Sequence, residues 1–250
     1  SSDITGAPQP ESELSSIEEE FILADLIIVE NRMERIKKSL RIGQKTPTVQ
    51  IEEKLMNKFH EHLNNMLPLR TCDINPDEKK IIGGFQFLTL KPLMIILNSS
   101  EDNYGNNQEL MQRLEQHYPI IECSGNFEME LSRLDEQEAA EFMADMGIVE
   151  SARNKLTRTA YKLLGYISFF TVGEDEVRAW NIFDGDAAVD AAAAIHSDLA
   201  RGFIRAECFQ YDDLIETGSE KGVKEKGKFR LEGKDYTVKD GDILSIRFNV

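Results

Sequence analysis

The sequence predicts a multi-domain protein of mixed α+β and α/β class. It has three parts: an antiparallel helical hairpin, a piece of a parallel α/β sheet, and a small terminal sheet crossed by one helix. Three observations carry this. Ile22, Leu26, Val29, Met33, Ile36 and Leu40 alternate steps of four and three, which puts one apolar seam on a long helix. Residues 93–97 are an unbroken apolar run of strand length, as in a strand buried on both faces of a parallel sheet. Residues 169–248 alternate short aromatic and β-branched runs with turn residues, the composition of small strands.

Residues 1–15 read as an irregular lead-in, with Gly6, Pro8 and Pro10 among small residues. Ser15 and Ser16 precede Glu18 and Glu19 by three residues, a capping-box pattern that predicts the helix start there. Gly43 and Pro47 break that helix. Ile51, Leu55, Phe59, Leu63 and Met66 then share one face of a second helix, which Pro68 stops. Two such helices on a short linker pair antiparallel, and residues 77–87 add a short helix. Residues 16–84 are therefore one helical part.

From residue 85 to 165 the rhythm is strand, helix, strand, helix, as in α/β nucleotide-binding folds. Residues 93–98 and 119–123 are the strands. Residues 107–118, 127–134, 136–146 and 151–164 are helical. From 166 to 250, residues 169–172 and 177–182 form a hairpin and 187–200 a helix rich in Ala. Residues 229–231, 236–238 and 243–248 are three short strands, with Glu232-Gly233 and Asp240-Gly241 as turns. A small sheet with one helix across it is a β-grasp, or ubiquitin-like, arrangement.

Composition narrows the function. Hydrophobic residues at 41% and charged residues at 30% suit a soluble globular protein. No apolar run approaches the roughly 20 residues of a membrane span. Cys72, Cys123 and Cys208 are odd in number and in no C-x-x-C spacing, so neither a disulfide framework nor a zinc site is expected, and a reducing cytoplasm is. The net charge of −16 opposes general nucleic-acid coating. Two local basic patches remain as RNA or partner contacts: Arg32, Arg35, Lys37, Lys38 and Arg41, and Lys221, Lys224, Lys226, Lys228 and Arg230.

Specific motifs go further. They are Phe169-Phe170-Thr171, Glu176-Val177-Arg178-Ala179-Trp180, Ile195-His196-x-Asp198, Gly202-Phe203-Ile204-x-Ala206-Glu207 and Asp240-Gly241-Asp242-Ile243. In this order they closely resemble the TGS domain that ends the Obg-like ATPases, the YchF branch of the translation-factor-related GTPases. Upstream, Leu23-Ala24-Asp25-Leu26 resembles the signature leading into that family's helical insert, and Leu88-Thr89-x-Lys91-Pro92 the resumption of its GTPase domain. The resemblance implies a helical (coiled-coil-like) insert over 16–84, the C-terminal part of a P-loop NTPase (G) domain over 85–165, and a TGS domain over 166–250. It also implies ATP, with GTP as the alternative, together with Mg in the complete family protein, and the ribosome or RNA as partner.

Within that frame Asn98-Ser99-Ser100-Glu101 matches the base-recognition motif, and Ser124-Gly125 the last guanine-nucleotide motif. Ordinary GTPases use Asn-Lys-x-Asp, whose Asp accepts from guanine N1–H and the 2-amino group. Ser99 has no Lys stem to pack on the base, and Glu101 is one methylene too long. A site that no longer pairs the guanine donors loses the penalty that rejects adenine, and the resembling family is thought to prefer ATP.

Phosphate binding needs G-x-x-x-x-G-K-[ST], and the 250 residues contain none: Gly227-Lys228 precedes Phe229, and Gly233-Lys234 precedes Asp235. His60, His62, His117 and His196 do not replace the family's catalytic histidine, and His196 reads as structural. The chain is expected to be the carboxyl-terminal part of such an ATPase, inactive in hydrolysis by itself, with its missing strands leaving an exposed sheet edge that invites self-association. The competing reading is a nucleotide-independent binding module, in which the hairpin and terminal domain dock on RNA, the ribosome or a protein partner. An unrelated small-molecule enzyme lacks support, since no His–carboxylate, Cys–His or metal-ligand cluster occurs.

Overall fold

The apolar seam forms a single helix, α1 (Pro10–Arg41), in the computed structural model, which describes residues 8–173 and 176–249. It starts earlier than the serine pattern suggests. Pro10 sits in the first turn, where its missing N–H costs nothing and its φ is already helical. Glu11 and Glu13 favour the positive end of the helix dipole. Ser16 bonds back to the Ser12 carbonyl at 3.0 Å instead of capping. The lead-in expected over 1–15 is thus helical from Pro10 on, and residues 1–7 lie outside the described residues.

The described residues up to Leu93, with Glu109–Tyr118, form one unit. Helix α2 (Pro47–Asn64) follows α1 after a turn at Gly43, whose φ is +86°. Thr46 caps it, accepting from Val49 N–H at 3.3 Å. Val29 and Ile36 of α1 bury with Leu55, Phe59 and Leu63 of α2, and Leu26 and Met33 pack at the margin. The α1 seam is as read from the sequence, but Ile51 on α2 and Met66 just beyond it are exposed, and Glu52 and Met56 are buried beside Leu55, Phe59 and Leu63 instead. Short helix α3 (Pro76–Ile82) has a complete capping box between Asn75 and Glu78. Asp25, on the core side of α1, is wholly buried. It accepts from Leu88 N–H (2.8 Å), Thr89 N–H (2.7 Å) and the Thr89 hydroxyl (2.6 Å).

Residues 94–108 and those from Pro119 onward form the second unit. Strand β1 (Ile95–Asn98) pairs parallel with β2 (Ile120–Cys123), Asn98 opposite Cys123. Between them in the chain is α4 (Gln108–Glu115), most of which clusters with the first unit. After β2 come α5 (Gly125–Leu131), α6 (Glu136–Asp145) and α7 (Ala152–Leu164). The last is capped by Ser151 and ends on Gly165 at φ +70°.

The terminal sheet has five strands: β3 (Tyr166–Val172), β4 (Val177–Phe183), β5 (Phe203–Gln210), β6 (Arg230–Glu232) and β7 (Asp242–Phe248), in the order β4-β3-β7-β5-β6. β3 and β4 are the expected antiparallel hairpin, with two of its turn residues, 174 and 175, outside the described set. β3 and β7 run parallel, while β5 is antiparallel to both β7 and β6. Helix α8 (Ala188–Ile195) buries Ala188, Ala191 and Ala192 against Phe169, Ile182, Ala206 and Leu244. Small side chains let its backbone lie close to the sheet.

Three expectations change here. The helix of 187–200 breaks at His196, which is extended (φ −164°, ψ 141°). Its Nδ1 accepts from Asp198 N–H at 3.2 Å and so opens a second helix, α9 (Ser197–Arg201). Residues 236–238 make only an isolated bridge, Thr237 to Ala187. The eight-residue β5, read above only as a motif, is a full strand, and α10 (Tyr211–Thr217) and α11 (Glu220–Glu225) follow it.

Asp242, also wholly buried, accepts from Tyr236 O–H (2.9 Å), Lys239 N–H (2.9 Å), Arg230 Nη2 (3.3 Å) and Gln210 Nε2. Beside it, burial first and then the Asp242 charge push the Cys208 thiol from its ordinary 9.0 up to about 12. A raised folded pKa means that the stability from burying a neutral thiol is complete below about pH 9 and is lost as pH rises toward 12. At pH 8 an aromatic disulfide reagent is therefore expected to leave Cys208 unmodified in the folded chain and to reach it only in denaturant. Modification of Cys208 under native conditions, read by peptide mass, would contradict the packing.

Candidate functional site

Two loops leave the carboxyl ends of β1 and β2, the edge at which ligands bind in parallel sheets. Asn98 ends β1, and its side chain crosses to the other loop, where Gly125 N–H donates to Asn98 Oδ1 at 3.0 Å. A Cβ on Gly125 would stand 3.4 Å from that oxygen, an ordinary van der Waals contact. Ser99 N–H continues the ladder to the Cys123 carbonyl at 2.8 Å. Glu101 opens a short 3-10 turn, Glu101–Asn103, and its Oε1 accepts from Asn126 Nδ2 at 2.8 Å. The fold therefore brings Asn98, Ser99, Glu101, Ser124 and Gly125 together.

The Ser124 hydroxyl stands out chemically. Ser124 is 2% exposed, and its Oγ has no hydrogen-bond partner among the described residues. An unpartnered buried hydroxyl costs roughly 1–3 kcal/mol, which a ligand atom or bound water would relieve.

Sequence reasoning missed the groups that brace the loop. Glu122, on β2, accepts from the Ser99 hydroxyl (2.6 Å), Asn107 Nδ2 (2.6 Å) and Gly105 N–H (3.2 Å). Asn107 also reaches Ser99 Oγ (3.0 Å) and the Asn103 carbonyl (2.9 Å). The Tyr104 ring meets the edge of Phe127 at 5.6 Å. Burial, then the Glu128 and Glu122 charges, push the neighbouring Cys123 thiol up, so this edge is acidic. A polar residue on an apolar strand was the one available signal for Glu122.

The two basic patches fare differently. Arg32 is taken by the buried Glu52 through two bonds of 2.7 Å, while Arg35, Lys37, Lys38 and Arg41 form no ion pair among the described residues. In the second patch, Lys226 bonds Glu216 (2.9 Å), and Lys228 bonds Asp213 and Glu216 (both 2.7 Å). Lys224 lies 3.9 Å from Glu220 and 4.6 Å over the Phe229 ring. Lys221 lies 3.8 Å from Glu225, and Arg230 3.3 Å from Asp242. Lys228, then Lys226, hold the Glu216 carboxyl down at about 2. This patch is thus internally neutralised.

Gly222 and Gly227 have the P-loop spacing to Lys228, but Gly222 lies inside helix α11 and Lys228 is engaged as above. Among the described residues no cluster suits a metal ion, and no helix is long and apolar enough to cross a membrane.

The chain resembles known proteins along nearly its whole length. A family model described as YchF-GTPase_C, "Protein of unknown function (DUF933)", matches residues 166–249. The Ribosome-binding ATPase YchF of Pasteurella multocida (strain Pm70) is 41% identical over 251 residues, covering 99% of this chain and 69% of that protein. The Ribosome-binding ATPase YchF of Bacillus subtilis (strain 168) is 36% identical over 254 residues, with the same two coverages. Among solved structures, the Schizosaccharomyces pombe YchF GTPase matches with a TM-score of 0.84 and 28% identity, over 98% of this chain and 68% of its own.

Proposed function

This chain belongs to the YchF family, whose relatives are named ribosome-binding ATPases, and on that premise we propose that Asn98–Glu101 with Ser124 and Gly125 hold the adenine base of ATP. One observation carries the reading: the Asn98–Gly125 hydrogen bond joins two loops at the carboxyl edge of a parallel strand pair. The unpartnered Ser124 hydroxyl beside it fits a polar ligand. Asn98 braces the loops, Glu101 offers a carboxylate oxygen to base N–H groups, and Ser124 with the Gly125 backbone closes over the other side. ATP with Mg would supply the phosphoryl chemistry, for which these residues provide only base recognition. Phosphate contacts normally contribute much of nucleotide affinity, so this chain alone is expected to bind weakly and to turn nothing over.

In this reading residues 166–250 are a TGS domain of β-grasp type, 85–165 belong to the nucleotide domain and 16–84 are the helical insert. The ribosome or its RNA is the partner, in the cytoplasm. Arg35, Lys37, Lys38 and Arg41 are the contacts to test, because the Lys224, Lys226 and Lys228 group is already paired with carboxylates. Ile96, 48% exposed on the two-stranded sheet, is where self-association would begin.

Base choice tests the proposal. Glu101→Asp with Ser99→Lys restores the guanine-reading loop, and the ATP-to-GTP affinity ratio is expected to fall roughly tenfold, about 1.4 kcal/mol. Competitive titration of both nucleotides measures it. An unchanged ratio would mean that this loop does not read the base. Magnesium-dependent phosphate release by the pure chain would overturn the expectation of no turnover.

A further inference from the structure

We infer that Glu122 is the positioning residue of the base loop and sets its preference for adenine, an inference that rests on the base-site reading above. Three donors from separate points of the 99–107 loop converge on its carboxylate: the Ser99 hydroxyl at 2.6 Å, Asn107 Nδ2 at 2.6 Å and Gly105 N–H at 3.2 Å. Gly105 turns the chain at φ +79°, so the loop closes back onto β2 and Glu122 clasps it. Asn107 ties the clasp to Ser99 and to the Asn103 carbonyl.

The consequence lies in which hydrogens remain available. At the six-position guanine carries an acceptor oxygen and adenine a donor amino group. A protein donor placed there selects guanine. Two donors of this edge are withdrawn: Ser99 O–H goes to Glu122, and Gly125 N–H goes to Asn98 Oδ1 at 3.0 Å, while the Ser124 hydroxyl stays unpartnered. Glu101 adds only acceptors, one of them already held by Asn126. With Ser99 and Gly125 withdrawn as donors, the balance here shifts toward acceptors, which suits an amino group better than a carbonyl oxygen. Removing the Glu122 carboxylate frees the Ser99 hydroxyl to turn outward as a donor.

The test is NMR titration of the isotope-labelled chain with AMP and, separately, GMP, for wild type, Glu122→Ala, Glu122→Gln and Glu101→Ala. Wild type is expected to favour AMP. Glu122→Ala should raise the AMP dissociation constant about tenfold and bring the AMP-to-GMP ratio close to one. Glu122→Gln keeps one acceptor oxygen for Ser99 and should fall between the two. Equal weakening toward both nucleotides would reduce Glu122 to a structural role and overturn the inference. An unchanged Glu122→Ala beside an altered Glu101→Ala would overturn it while leaving the base-site reading intact. If neither variant alters AMP binding, both fall. Should Glu122→Ala not fold, the ratio in Glu122→Gln decides: a wild-type value overturns the inference.

Discussion

Asp242→Ala is expected to destabilise the terminal sheet by roughly 3–5 kcal/mol. The carboxylate has no solvent exposure and accepts from four groups on three segments: Gln210 at the end of β5, Arg230 on β6, and Tyr236 and Lys239 in the crossing to β7. Alanine leaves the Tyr236 hydroxyl, the Lys239 amide and the Arg230 guanidinium short of an acceptor in a confined space. Breaking a buried charge pair in this way is among the most damaging single changes. An asparagine there retains one acceptor and should lose about half as much. Burial, and then the bond to Asp242, hold the Tyr236 hydroxyl above its ordinary 10.0. A raised folded pKa contributes stability that is complete below about pH 10 and fades only at higher pH, so the wild-type sheet should unfold in alkali before or as Tyr236 ionises. Urea unfolding followed by the single tryptophan, Trp180 on β4 of the same sheet, measures the loss. A loss under about 1 kcal/mol would show that the network contributes little.

The helices were the most legible part of the sequence, because a helix writes its buried face into local spacing. Val29 and Ile36 on α1 and Leu55, Phe59 and Leu63 on α2 are the residues the seam named. Strand β5 was harder. Its register shifts between Phe203 and Arg205, and its far end is covered on both faces, Cys208 in the main cluster and Phe209 with Val223 and Ile243, so its buried residues do not follow simple alternation. The start of α1 was misplaced because Pro10 looked like loop punctuation, and proline serves equally as a helix's first residue.

At the candidate site the sequence named Asn98, Ser99, Glu101, Ser124 and Gly125, whose convergence depends on two parallel strands meeting in register. It did not name Glu122, Asn107 or Asn126, because their roles are hydrogen bonds between separate segments. Its basic patches illustrate the same limit. Lys226 and Lys228 look cationic in a row, but their partners, Asp213 and Glu216, lie ten to fifteen residues upstream. Only folding pairs them with carboxylates.

Asp25→Ala should lower the stability of the helical unit by roughly 3–5 kcal/mol. An aspartate on the apolar face of α1, three residues after buried Ile22 and four before buried Val29, is costly unless its oxygens are used. They accept from two consecutive backbone amides, Leu88 and Thr89, and from the Thr89 hydroxyl, all at 2.6–2.8 Å. Thr89 passes the restraint on, since its hydroxyl accepts from Leu69 N–H at 3.1 Å and its carbonyl from Arg70 N–H at 2.9 Å. One carboxylate thus fastens both the segment after α2 and the segment before β1 to the long helix. Removing it strands the buried Thr89 amide and hydroxyl and the part-buried Leu88 amide, and each unsatisfied buried donor costs roughly 1–3 kcal/mol. An asparagine in its place would accept at one oxygen position and turn its amide N–H₂ toward a donor at the other, so Asp25→Asn should recover only part of the loss. Thr89→Val tests the chain of bonds separately: it deletes the hydroxyl while keeping the shape, and should lose roughly 1–2 kcal/mol. The readout is far-UV circular dichroism during urea unfolding, which α1 and α2 dominate in this unit, with amide exchange at Leu88 and Thr89 as the local probe. If Asp25→Ala kept the wild-type midpoint and both amides stayed protected, the carboxylate would not be the fastening this geometry makes it.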